Sequence, residues 1–128
     1  MNDLVQGAVE QIRIAFEDHR LEVQEDGQGG AFMLIEDVDV GEIYAPQTTW
    51  IGFRITFQYP NADVYPHFVR SDLLRKDGRP LGDGIGAGHQ FLGRAALQVS
   101  RRSNRLNPAT DTALLKLMKV LKWLQTHP

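Results

Sequence analysis

Between Ile51 and Tyr59 every second residue is apolar (Ile51, Phe53, Ile55, Phe57 and Tyr59), and a proline follows at position 60. A period of two is that of a strand with one buried face. Proline has no N–H to give to a ladder, so Pro60 predicts the end of that strand. Pro66 repeats the break and biases Tyr65 towards an extended backbone, and the sequence then predicts a short strand over His67 to Arg70. A chain built around this stretch leaves a sheet, turns about two Tyr-Pro pairs and re-enters.

The rest of the chain supplies partners for that strand. Leu4, Val5, Ala8, Val9, Ile12, Ala15 and Phe16 recur at spacings of mostly three and four, which predicts a helix with one apolar stripe, capped by Asn2 or Asp3 and ending near His19. Leu21 and Val23 alternate with polar residues up to the glycine-rich turn at Asp26–Gly30, and Ala31 to Val40 reads as the return strand of a hairpin. Gly41 to Gln47, with Pro46, is a connection into the strand from Thr48 to Tyr59. From Lys76 to Gly93 neither period survives, and glycines stand at 82, 84, 86 and 88, so an irregular loop is expected. Asn107 as cap and Pro108 in the first turn signal a second helix. Its buried stripe is expected to be Leu114, Leu117, Met118, Leu121 and Leu124, with Lys116, Lys119 and Lys122 outside. The expected fold is α+β over one domain, residues 1–128: a helix, a four-stranded antiparallel meander, an irregular segment and a C-terminal helix.

A chain of 128 residues can bury a core without disulfide or metal staples. At 42% hydrophobic, 23% charged and a formal charge of -2, it has no bulk attraction to nucleic acid or to a membrane surface. The absence of cysteine removes disulfides, thiolate zinc sites and a thiol nucleophile together. Met-Asn-Asp-Leu-Val-Gln is not a basic segment leading into an apolar run, and no stretch approaches the roughly 18 apolar residues of a membrane span. A cytoplasmic location is expected.

Few residues suggest chemistry. Gly82 to Gly88 lacks the dinucleotide-binding spacing, and no Gly-Lys-Ser/Thr follows it, so a flexible loop is preferred to a phosphate cradle. His19, His67, His89 and His127 have no metal-ligand spacing, and neither metal nor cofactor is expected. His67, after a proline at a strand start, reads as structural; His89 reads either way. Arg94, Arg101, Arg102 and Arg105 could meet an acidic or phosphate partner, but no aromatic residues interleave with them, and a solvated loop is preferred. Ser100 and Ser103 are hydroxyl nucleophiles only if a base lies within hydrogen-bond reach.

The strand running into Tyr59-Pro60, the second Tyr65-Pro66 before Phe68, the order of elements and the Leu106-Asn107-Pro108 segment together resemble the ubiquitin-conjugating-enzyme fold. The resemblance covers nearly the whole chain in layout, and Leu106-Asn107-Pro108 is similar to the family's Trp-Ser-Pro. It departs at the catalytic segment. Where the family has His-Pro-Asn, this chain has His89-Gln90-Phe91, and the family's cysteine falls near Gln98 or Val99, neither a nucleophile. The resemblance therefore implies a divergent, cysteine-free member, similar to bacterial proteins found beside ubiquitin-like modifiers and activating enzymes. It implies a binding module for a ubiquitin-like protein or a partner enzyme, using the first helix and the bend from Tyr59 to Phe68 with Tyr59, Pro60, Tyr65 and Pro66, to which Arg101 and Arg102 are added as binding candidates for their charge. The enzymatic alternative is an oxyester carrier with Ser100 or Ser103 as nucleophile, His89 as base and Asn104 as oxyanion donor. A third reading is an unrelated small α+β ligand-binding or toxin-type domain.

Overall fold

The computed structural model describes residues 1–127. Helix α1 (Asp3–Ala15) starts where the Asn2 side chain accepts the Val5 N–H at 2.9 Å, and it buries Val5, Ala8, Val9 and Ile12. Strands β1 (Leu21–Glu25) and β2 (Ala31–Asp39) form the expected hairpin. Asp26 holds its turn: one carboxylate oxygen accepts from the Gln28 and Gly30 N–H groups, and the other accepts from Arg54 at 2.8 and 3.0 Å.

Strand β4 (Thr48–Ile55) runs antiparallel to β2 and ends at Ile55, short of the expected Tyr59. Its alternation continues in the sequence, but β2 begins at Ala31 opposite Ile55 and β5 (His67–Arg70) reaches back only to Phe53, so no neighbour remains to accept a longer ladder. Phe57, the next position in the pattern, is exposed. The short strands β3 (Tyr44–Ala45) and β6 (Leu74–Arg75) pair as a separate ribbon.

The expected loop from Lys76 to Gly93 needs correction. Ile85–Phe91 is strand β7, turning at Leu92 and Gly93 into β8 (Arg94–Val99). Both turn residues have positive φ, 48° and 79°, the backbone of a two-residue hairpin, which glycine adopts freely and leucine rarely. The glycines that hid the strand do little to favour it; pairing with β8 supplies what propensity lacks. Gly86 pairs with Gln98 but His89 with Ala96, a register irregularity within β7. The sheet thus has six strands in the order β1-β2-β4-β5-β8-β7: the expected four run as a meander, and the chain then crosses to the edge as β7 before β8 returns beside β5.

Helix α2 (Ala113–Gln125) also starts later than expected. Asn107 does cap a turn, accepting the Ala109 N–H on its side chain and the Thr110 and Asp111 N–H groups on its carbonyl. That turn stops, and Thr112 caps the helix proper by accepting from Leu115 at 3.1 Å. The buried stripe is rotated from the expected one: Ala113, Lys116, Leu117, Val120, Leu121 and Leu124 face inward, while Met118 is exposed. Lys116, expected outside, is only 8% exposed.

Both helices pack on one sheet face, against Met33, Ile35, Ile51, Phe53, Ile55, Val69, Leu97 and Val99. The opposite face carries a smaller cluster of Leu34, Trp50, Phe91 and Ala96. There Phe91 lies over Gly52, where a Cβ would overlap its ring. No helix among the described residues is long and apolar enough to cross a membrane.

Candidate functional site

The Tyr59–Pro66 bend, the 101–112 segment and the first turns of α2 meet at one end of the sheet. Asp63 is the hub of their contact. Its carboxylate accepts from the Ser103 N–H at 2.7 Å and the Ser103 hydroxyl at 2.9 Å, and from Lys116 Nζ at 2.9 and 3.1 Å. Lys116 Nζ also donates to Ser103 Oγ at 2.9 Å, closing a three-membered ring of bonds. Burial works to raise the Asp63 pKa, but the bonds from the Ser103 N–H, Lys116 and the Ser103 hydroxyl outweigh it and lower the pKa. The bend and α2 are joined a second time where the Tyr59 hydroxyl accepts the Ala113 N–H at 3.1 Å.

Beneath this clasp lies His67, wholly buried on β5 against Phe53, with ring centroids 5.1 Å apart. Neither ring nitrogen has a hydrogen-bond partner among the described residues. Burial first, and then the Lys116 cation, pull its pKa from 6.5 to about 3, against a weaker opposing pull from Asp63. It is therefore a neutral core residue near pH 7.

Outside the clasp, the 101–105 loop and α2 enclose an open cleft of about 490 Å³ lined by Arg101, Arg102, Ser103, Asn104, Arg105, Asp111, Lys116, Lys119, Val120 and Trp123. Arg101 lies over the Trp123 ring at 4.8 Å and Arg102 over the Tyr65 ring at 4.0 Å. The aromatic residues that do not interleave with these arginines in sequence are thus brought to them in space, and the expected plain solvated loop is one wall of a basic cleft. Arg94 is not part of it: Arg94 pairs with Glu36 at 2.9 Å and lies over Trp50 on the far sheet face.

The sequence-predicted residues separate accordingly. Tyr59, Pro60, Tyr65, Arg101, Arg102, Ser103 and Asn104 gather around the clasp and cleft, with Pro66 half-buried beside Tyr65. Ser100 stands apart, its hydroxyl accepting from Gln98 at 3.0 Å and its N–H donating to Gly84. His89 is exposed on β7 opposite Ala96, beside Phe68. Ser100 lies four residues beyond that register position, and no hydrogen bond joins it to His89 among the described residues. Val99 is fully buried opposite His67, and Gln98 faces Phe68.

Asp63, Lys116, Lys119 and Trp123 escaped the sequence reading. Lys116, Lys119 and Trp123 stand at helical spacings of three, four and seven, a signal that they share one side of α2. Nothing in the sequence marks Asp63, whose partners are all distant along the chain. No three of the described His, Asp and Glu side chains form a group able to hold a metal ion. No family model, curated protein or solved structure matches the chain.

Proposed function

We propose that the chain is a cysteine-free, ubiquitin-conjugating-enzyme-like binding module of a bacterial ubiquitin-like modification pathway. It holds a ubiquitin-like protein or a partner enzyme without forming a bond to it. The observation that carries the reading is convergence. The doubled Tyr-Pro bend, on which the family resemblance rests, packs through Tyr65, Asp63 and Tyr59 against the 101–105 loop and α2, making one continuous surface. At the first helix, exposed Leu4 and Phe57 line a depression together with Tyr59, which offers a partner an apolar contact beside the polar one. The strand position that corresponds to the family's nucleophile offers only Gln98 and buried Val99, and neither can form a thioester.

A second reading is favoured by one observation, the Ser103 hydroxyl 2.9 Å from Lys116 Nζ. Serine–lysine pairs do serve as nucleophile and base elsewhere. Ser103, rather than Ser100, is then the acyl carrier. Against it, the lysine is held by the Asp63 carboxylate, and the hydroxyl donates to a group whose lowered pKa makes it a poor base. The test is to mix the purified protein with the ubiquitin-like protein and activating enzyme of its own genome, with ATP, and to read complex formation by calorimetry and intact mass by spectrometry. A reversible complex with unchanged mass is expected. No complex with either partner refutes the binding reading, and an adduct abolished by Ser103→Ala establishes the acyl-carrier reading in its place.

A further inference from the structure

The cleft between the 101–105 loop and α2 has the composition of a receptor for carboxylates. Arg101, Arg102, Arg105 and Lys119 are all exposed there, and among the described residues none forms an ion pair. Four unpaired cations in one recess contrast with a chain whose net charge is -2. The one carboxylate in the lining, Asp111, accepts from the Asn107 N–H at 2.8 Å.

We propose that this cleft docks an acidic peptide segment of a partner protein, with Arg101, Arg102, Arg105 and Lys119 receiving its side-chain carboxylates. Two of the arginines are pre-positioned. The guanidinium groups of Arg101 and Arg102 rest over the Trp123 and Tyr65 rings, contacts that use none of their N–H groups as ion-pair donors and leave them for bonds to carboxylate oxygens. The wall that carries them is pinned by the Ser103–Asp63–Lys116 bonds, so binding need not order the loop from a free state. A single small anion would leave most of a 490 Å³ recess and most of its charge unused. Single-stranded nucleic acid needs open ring faces on which bases stack, and here guanidinium groups occupy a face of both aromatic rings. An extended peptide with several acidic side chains matches both the spread and the sign of the charge.

The inference rests on the proposed function only in taking the occupant to be a protein. Its probe is a fluorescein-labelled hexaglutamate peptide, titrated with the full chain and read by fluorescence anisotropy at about 50 mM salt. Saturable binding is expected, weakened about tenfold or more by Arg102→Glu with Lys119→Glu, and by less than about twofold by Arg13→Glu on α1. The milder Arg102→Ala, which removes a charge without adding its opposite, is expected to weaken binding in the same direction. No saturable binding overturns the proposal, as does an equal loss in Arg13→Glu. Tighter binding of a labelled oligothymidylate of similar charge overturns the peptide assignment. If hexaglutamate binds in this pattern while the ubiquitin-like protein and activating enzyme do not, the docking cleft stands and the pathway reading falls. If those proteins bind and hexaglutamate does not, the pathway reading stands and the cleft proposal falls.

Discussion

Lowering the pH from 7 to 5 is expected to destabilise this protein through one side chain, His67. Its pKa in the folded chain is about 3, against an ordinary value of 6.5 that the unfolded chain restores. The unfolded state therefore takes up a proton at a pH where the folded state still refuses it, so stability is present above pH 6.5 and is lost as the pH falls towards 3. With those two values the loss between pH 7 and pH 5 is roughly 2 kcal/mol, growing to about 4 kcal/mol by pH 3. The carboxylates with lowered pKa values, Asp26, Asp63, Asp72 and Asp77, start from 3.8 and add their own losses only at lower pH. Their contribution does not contaminate the upper window. Urea unfolding of the wild type and of His67→Leu, followed by the fluorescence of Trp50 and Trp123, isolates the histidine. Leucine fills a similar volume and removes two ring nitrogens that have no partner, so the variant is expected to fold at pH 7 with stability equal to or above wild type. It is also expected to lose most of the pH 5 penalty. A wild-type curve that is flat between pH 7 and pH 5, or a His67→Leu variant with the same drop as wild type, would refute the reasoning.

Lys116→Met leaves the Asp63 carboxylate without its cation, and a loss of about 2–3 kcal/mol is expected in urea titration, less than a fully buried pair because Asp63 keeps some exposure. Asp26→Ala removes the acceptor of two turn N–H groups and of Arg54, and is expected to lower stability by about 2 kcal/mol with no change in binding at the cleft. Gly52→Ala sets a methyl against the Phe91 ring, and roughly 1–3 kcal/mol of destabilisation is expected, most of it recovered when Phe91→Leu is combined with it.

The elements that could be read from the chain are those fixed by local rules. The β1–β2 turn at Asp26–Gly30 and the short strand at His67–Arg70 follow from neighbours in sequence and form where expected; the α1 stripe does so in Val5, Ala8, Val9 and Ile12, although the helix ends at Ala15, short of His19, and leaves Leu4 and Ala15 exposed. Where a distant partner decides, the local signal misleads. The alternation to Tyr59 overruns because strand length depends on where β2 and β5 end, and β7 is hidden because its ladder to β8 overrides the poor propensity of its glycines. The Asn107-Pro108 signal is genuine but belongs to a single turn, and Lys116 reads as a surface lysine because its counter-ion, Asp63, lies in another loop. The site is legible only in part for the same reason: Arg101 and Arg102 can be picked out as a basic pair, but the rings beneath them come from the Tyr-Pro bend and from α2.

The register irregularity in β7 has a bearing on solubility. This strand closes one side of the sheet, and Ile85-Gly86-Ala87-Gly88-His89-Gln90-Phe91 carries neither proline nor a lysine, arginine or carboxylate along its length. Such a border is a template for end-to-end growth from molecule to molecule. The mismatch between Gly86 and His89 breaks the rhythm of the groups it presents, so the safeguard against self-stacking is geometric rather than electrostatic. Straightening that border, for instance by deleting Ala87, would remove it.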